Sequence, residues 1–212
     1  MKIAQYIDHT LLKPTATTAD IKALCSEARK HQFYALCVNG CHVRTAHAEL
    51  IGSDVKLAAV IGFPLGAMST EAKVAEAKYC VEHGADEIDM VINIGWLKEG
   101  LLMSVKEEIA LIKEAISGKT LKVIIETAYL SDEEKILACN LIIEARADFV
   151  KTSTGFAPGG ATFEDVELIK NTIKGQAKIK ASGGIKDSST ALRYIDLGVD
   201  RIGTTSGITI IN

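Results

Sequence analysis

Short apolar runs alternate with amphipathic helical patterns from one end of the sequence to the other, and this alternation constrains the fold more than any other feature. The apolar runs predict eight strands, near 6–11, 33–38, 57–62, 87–93, 121–126, 147–152, 177–181 and 200–204. Helical patterns lie between them, near 18–31, 43–51, 70–83, 98–117, 132–145, 163–174 and 187–197. The clearest stripe is Leu102, Val105, Ile109, Ile112 and Ile116, whose steps of 3, 4, 3 and 4 put all five side chains on one helix face. Ser131 and Glu134 form a capping-box pattern that starts the next helix. The strand runs do not alternate polar with apolar. Leu57-Ala58-Ala59-Val60-Ile61 and Val123-Ile124-Ile125 are continuous, as expected of parallel strands covered by helices.

Eight such units fit either a closed barrel or an open doubly wound sheet. A weak internal repeat favours the barrel. Gly84-Ala85-Asp86, Arg146-Ala147-Asp148 and Gly198-Val199-Asp200 each end a helix and lead directly into a strand, as repeated βα units require. The 212 residues lie near the low end of the range for such barrels, roughly 200–400. No Pro/Ser linker or low-complexity stretch divides the chain, so the expectation is one (β/α)₈ TIM-barrel domain over residues 1–212.

Charge excludes some partners. The 24 basic and 27 acidic residues leave a net charge of −3 with no basic run, which argues against nucleic acid. An anionic substrate must then find a local cationic site, since the overall field does not attract it. Five cysteines (Cys25, Cys37, Cys41, Cys80 and Cys139) without CxxC spacing argue against a disulfide framework and fit a reducing cytoplasm. The N-terminus reaches a charge at once, unlike a signal peptide, and no apolar run approaches the ~18 residues of a membrane span.

Polar groups at the ends of buried strands stand out against this pattern, because the C-terminal strand ends of a barrel face its active site. Lys151 follows Phe149-Val150 and precedes the hydroxyl-rich Thr152-Ser153-Thr154-Gly155, where Thr154 is a candidate substrate contact. The plain alternative is a lysine that reaches solvent from a strand end. Lys180, in the next strand, is expected at about the height of Lys151; Lys178 shares its parity, but Lys180 is nearer the C-terminal end. Two ammonium groups in one small cavity repel, and that repulsion turns one of them into a neutral nucleophile. Asp89, inside an apolar strand, needs a cationic partner; it is a candidate for proton transfer or, alternatively, for a structural ion pair.

Gly183-Gly184 after the seventh strand and Gly203-Thr204-Thr205-Ser206-Gly207 after the eighth occupy the two positions where barrels often bind phosphate. Other motifs carry less. Ser117-Gly118-Lys119-Thr120 ends like a P-loop, but it precedes a strand and lacks the first glycine, position 113 being lysine. Cys37, Cys41 and His42 lack a second ligand pair, and His9, His31, His42, His47 and His83 are scattered, so no metal site is expected.

The segment Val150-Lys151-Thr152-Ser153-Thr154-Gly155-Phe156 resembles the Schiff-base segment of the deoxyribose-phosphate aldolases. Tyr6-Ile7-Asp8-His9-Thr10-Leu11-Leu12, Cys37-Val38-Asn39, Val60-Ile61-Gly62-Phe63-Pro64-Leu65-Gly66, Glu87-Ile88-Asp89-Met90-Val91-Ile92-Asn93 and Lys180-Ala181-Ser182-Gly183-Gly184-Ile185 extend the likeness over essentially the whole sequence. The resemblance implies a (β/α)₈ barrel and a class I aldolase without metal or cofactor. It implies reversible cleavage of 2-deoxy-D-ribose 5-phosphate to acetaldehyde and D-glyceraldehyde 3-phosphate, and a homodimer. By motif position it makes Lys151 the Schiff-base lysine, Lys180 the lysine that tunes it and Asp89 the proton donor and acceptor, with Asp8, Thr10 and Cys37 lining the pocket less centrally. Some members of that family add a C-terminal tail whose tyrosine assists proton transfer; the sequence here reaches Asn212 a few residues past the last strand. The rival readings are a phosphate-binding isomerase or epimerase with Asp89 as base, and a barrel that senses a sugar phosphate without turnover.

Overall fold

A computed structural model describes residues 2–212. Eight parallel strands close into a barrel in sequence order, β1 (Ile7–Leu11), β2 (Ala35–Asn39), β3 (Lys56–Ile61), β4 (Glu87–Val91), β5 (Thr120–Ile124), β6 (Phe149–Lys151), β7 (Lys178–Ser182) and β8 (Arg201–Thr204). The ring closes through β8 and β1, where Asp8 stands opposite Gly203. The surrounding helices are α1 (Thr18–His31), α2 (Val43–Leu50), α3 (Thr70–Glu82), α4 (Ile94–Glu99), α5 (Leu102–Ala115), α6 (Asp132–Glu144), α7 (Phe163–Ile173), α8 (Ser188–Asp196) and α9 (Gly207–Ile211).

The internal repeat has a physical basis. At each of the three sites the helix ends in a left-handed residue, Gly84, Arg146 or Gly198. The next N–H turns back into the helix: Ala85 donates to the Cys80 carbonyl, Ala147 to Ile142 and Val199 to Tyr194. These are Schellman-type closures, which satisfy carbonyls the helix end leaves open. The aspartate that follows then grips the neighbouring strand. Asp86 accepts the N–H of Leu57 at 3.0 Å, Asp148 that of Leu121 at 2.7 Å, and Asp200 that of Ile179 at 2.9 Å. Each motif thus pins the entry of an even-numbered strand to the odd-numbered strand before it.

One expected helix is two. The stretch read as a single helix over 98–117 is α4 followed by α5, separated where Gly100 takes φ 77° and ends α4. The apolar stripe survives on α5, where Val105, Ile109 and Ile112 are buried, and Ile116 caps its end. The capping box at Ser131–Glu134 forms as read. Strands begin or end within about two residues of their expected limits, the ordinary scatter of element boundaries.

The outward strand faces and the inward helix faces share one large core, including Ile88, Met90, Ile109, Val123, Val150 and Ile202. The barrel interior differs. Toward β2 and β3 it holds a small separate apolar cluster of Leu12, Cys37, Ala58 and Val60. Toward β4–β8 and β1 it holds charge.

Candidate active site

Period-two alternation sends Glu87 and Asp89 of β4, Lys122 of β5, Lys151 of β6, Lys180 of β7, Arg201 of β8 and Asp8 of β1 into the barrel, where all are buried. Register sets their heights: Asp89 stands opposite Lys122, and Lys151 opposite Lys180. The expected equal height of the two lysines is therefore observed, and Lys178, two residues earlier, is exposed at the barrel's other end.

Asp89 is the hub. One of its oxygens accepts from Lys151 and Lys180, each at 2.8 Å, and the other accepts from Lys122 at 2.7 Å. Lys180 also contacts Asp8. Arg201, which stands opposite Lys180, bridges Asp8 at 2.9 Å and Glu87 at 3.0 Å, and Lys122 reaches Glu87 at 2.5 Å. The connected cluster therefore contains four cationic side chains and three carboxylates. An uncompensated charge in a closed interior is costly, and the usual relief is that one group gives up its charge.

The ammonium weakened in this cluster is that of Lys151. Burial pushes its pKa down, Asp89 opposes this, and the ammonium of Lys180 pushes it down again; the net direction is down. Burial has the same sense at Lys180, but Asp8 and Asp89 together overcome it and raise its pKa, so Lys180 stays protonated. Burial alone would raise Asp8 and Asp89. Lys180, Lys122 and Arg201 bring Asp8 down to about 2, and Lys122, Lys151 and Lys180 hold Asp89 well below the usual carboxylate range. Repulsion between ammonium groups, the cause expected from sequence, is present, but burial is the larger cause.

Only one of these seven side chains reaches the open end. A cavity of about 260 Å³ at the C-terminal face is lined by Lys151 together with Thr10, Thr154, Gly183, Gly184, Gly203, Thr204 and Thr205. Asp8, Asp89 and Lys180 lie beneath its floor. Cys37 is inside the apolar cluster rather than on the cavity wall, and burial pushes its thiol pKa up. Its sequence neighbour Cys41 is exposed, which separates the pair. Ser206 does not line the cavity; its N–H donates to the Thr204 hydroxyl at 2.9 Å. Gly203 has a second role: a Cβ there would sit 3.0 Å from Cε of Lys180, so glycine at this point leaves room for that lysine to cross the barrel.

The hydroxyls are less free than their number suggests. Thr10 donates to the Asp8 carbonyl at 2.8 Å, Thr204 to that of Ile185 at 2.7 Å, and Ser182 to that of Ser153 at 2.6 Å. Thr154 donates to Glu126. By contrast, the N–H groups of Gly183 and Gly184 donate to no group among the described residues.

Sequence reasoning missed Glu87, Lys122, Arg201 and Glu126 within the barrel, and Lys13 and Lys186 at the cavity wall. A parity signal existed for the first three. Glu87 stands two residues before Asp89, Lys122 opens a strand read only for its apolar part, and Arg201 lies in the eighth strand with the inward parity of Gly203. Lys13 and Lys186 stand in loops, where periodicity says nothing.

Residues 2–207 match the DeoC/LacD family of aldolases. A deoxyribose-phosphate aldolase of Alkaliphilus oremlandii is 54% identical over all of this chain and 96% of its own length. One from Finegoldia magna is also 54% identical, over all of this chain and 99% of its own length. Among solved structures, QR15, an aldolase, superposes with a TM-score of 0.96 at 45% identity, covering 100% of this chain and 95% of that one. The tetrameric deoxyribose phosphate aldolase of Aeropyrum pernix gives 0.91 at 34% identity, over 99% and 89%. Agreement of this extent, running through the strands that bear the buried ion cluster, establishes that the chain belongs to the DeoC/LacD family of aldolases.

Proposed function

We propose that this protein reversibly cleaves 2-deoxy-D-ribose 5-phosphate to acetaldehyde and D-glyceraldehyde 3-phosphate through a Schiff base on Lys151. The observation that carries the reading is the charge imbalance around Asp89: four cationic side chains face three carboxylates, and the one whose pKa burial and Lys180 push down is the one that opens on the cavity. Family membership and relatives of the same printed activity support the substrate.

In the cleavage direction, the Lys151 amine attacks the aldehyde carbon of the open-chain sugar phosphate, and loss of water gives an iminium. The iminium is the electron sink, so the bond between C2 and C3 breaks as the C3 hydroxyl loses its proton. Asp89, with Lys180 and a bound water, moves that proton and then delivers one to the enamine carbon. Hydrolysis releases acetaldehyde and restores the amine. Each step runs backward for synthesis. Lys180 remains an ammonium and disfavours a second positive charge on free Lys151.

The phosphate lies, in this reading, against the Gly183-Gly184 turn and the Gly203 to Ser206 segment. Two unpaired N–H groups support this, as do Lys13 and Lys186 on the same wall. Thr10, Thr154 and Thr204 then serve as acceptors for hydroxyls of the sugar and not as donors to the phosphate, because their protons are already committed. Thr205 remains a hydroxyl donor, and Asp8 and Cys37 act from beneath the floor. No helix among the described residues is long and apolar enough to cross a membrane. A cytoplasmic homodimer is the proposed setting; the tetramer of the Aeropyrum relative is the competing assembly, and sedimentation equilibrium separates them.

The deciding experiment is borohydride reduction in the presence of acetaldehyde, followed by peptide mapping. A two-carbon adduct on Lys151 is expected. Turnover without any adduct ends the Schiff-base reading and favours Asp89 acting as base in an isomerase or epimerase. Binding of sugar phosphate with neither adduct nor turnover indicates a sensor.

A further inference from the structure

Glu126, just beyond β5, occupies a position that the fold alone does not require. Its backbone is left-handed, at φ 54° and ψ 68°, a region that side chains other than glycine and asparagine enter rarely. Its carboxyl group is buried, and no lysine, arginine or histidine among the described residues forms an ion pair with it. Burial pushes its pKa up, against the opposing pull of Thr154 and Lys151. A strained backbone and a buried carboxylate coincide at one residue, and such coincidences cluster at functional sites.

All the side-chain bonds of Glu126 go to one residue. Both carboxylate oxygens accept the N–H of Thr154 at 3.2 Å, and one also accepts its hydroxyl proton. The Thr154 oxygen in turn accepts the N–H of Phe156 at 3.0 Å. Main-chain bonds reinforce the junction: Ile125 donates to the Lys151 carbonyl and Thr127 to that of Thr152, each at 3.0 Å. The turn that leaves the nucleophile is therefore tied to the end of β5. A threonine oxygen has one proton and two lone pairs. With its proton given to Glu126 and one lone pair taken by Phe156, Thr154 has a single acceptor site left, on a residue that lines the cavity.

We propose that Glu126 is a positioning residue for the aldolase reaction, holding Thr154 so that it presents an acceptor to a hydroxyl of the sugar. This inference rests on the Schiff-base reading. It goes further in assigning the sugar-hydroxyl contact to a pair of residues on two strands and in fixing the direction of that hydrogen bond. Acetaldehyde has no hydroxyl, so its capture by Lys151 does not need the contact; the five-carbon sugar phosphate does.

The test compares wild type with Glu126→Gln, Glu126→Ala and Thr154→Val. It measures borohydride trapping with acetaldehyde alongside steady-state cleavage of 2-deoxyribose 5-phosphate. Glu126→Ala and Thr154→Val are expected to trap acetaldehyde within about twofold of wild type while kcat/KM for cleavage falls roughly 10- to 100-fold, the effect of one charge-assisted hydrogen bond. Glu126→Gln, which keeps one acceptor in the same shape, should fall between Glu126→Ala and wild type. Unchanged cleavage in Glu126→Ala overturns the inference. So does an equal loss of trapping and cleavage in the isosteric Glu126→Gln, because that is the signature of general disorder around Lys151. A wild type that yields no adduct brings down the Schiff-base reading itself, and this inference with it, an outcome distinct from either of the other two.

Discussion

Lys73 and Lys151 lie in different layers of the same fold. Lys73 leaves α3 and passes over Gly62 to reach the Val91 carbonyl at 2.9 Å and Glu108 of α5 at 2.8 Å. Lys151 leaves β6 and meets Asp89 at 2.8 Å inside the barrel. Both are buried, both have one carboxylate partner, and burial is the largest cause of a lowered pKa in both. The difference lies in the company each keeps. Lys73 and Glu108 form a closed one-to-one pair apart from the cavity at the C-terminal face, and burial raises the pKa of Glu108 in turn. Lys151 shares its carboxylate with two further lysines and opens on the cavity. Burial pushes against every buried ammonium, and it prevails at Lys73 and Lys151 but not at Lys180, where two carboxylates overcome it; an excess of neighbouring cations and an open side are what make the amine of Lys151 useful.

Substitutions at the two lysines test this contrast. The largest effect is expected for Lys151→Ala: cleavage should fall by at least about 10⁴-fold, as when a covalent nucleophile is removed, while the variant melts as a folded protein. Asp89→Asn keeps the shape but removes the hub charge. We expect turnover to fall by about 10²- to 10⁴-fold, the range for loss of a positioned acid–base group, with adduct formation still detectable by trapping. Near-normal turnover would make Asp89 a structural partner like Glu108.

The effect of Lys180→Leu is read from the pH profile. Lys151 must be neutral to attack, so activity rises as pH climbs through its lowered pKa. Removing Lys180 removes a like charge, so the pKa of Lys151 rises and the ascending limb of kcat/KM moves to higher pH. An unmoved limb would mean that burial alone sets the amine. The smallest effect on catalysis is expected at the other lysine. Lys73→Met should leave kcat within a few fold of wild type and the pH limb in place, yet cost about 3–5 kcal/mol of stability by stranding Glu108. Adding Glu108→Leu should recover much of that loss, measurable by denaturant unfolding. A Lys73 variant that shifted the catalytic pH limb would erase the distinction between the two regions.

The strand-and-helix succession was legible because periodicity is local. Continuous apolar runs mark strands with two covered faces, and the stripe on α5 marks a helix with one. The recurring turns before Asp86, Asp148 and Asp200 were visible as a repeat, although what those aspartates hold was not. Lys151, Lys180 and Asp89 stood out because charge is rare in buried strands. Glu87, Lys122 and Arg201 carry the same mark but were overlooked, two of them at the strand entries and Lys122 beside a long apolar run.

By itself the sequence determined the order of elements, the parity that turns particular side chains inward and the family likeness, since all three depend on neighbours along the chain. Only the closed barrel decided which carboxylate meets which cation, that Asp89 serves three lysines, that Lys151 alone among the cluster reaches the cavity, and that Glu126 grips Thr154. Those outcomes depend on register between strands distant in sequence and on the dielectric of a sealed interior. Neither is written in any local stretch of residues.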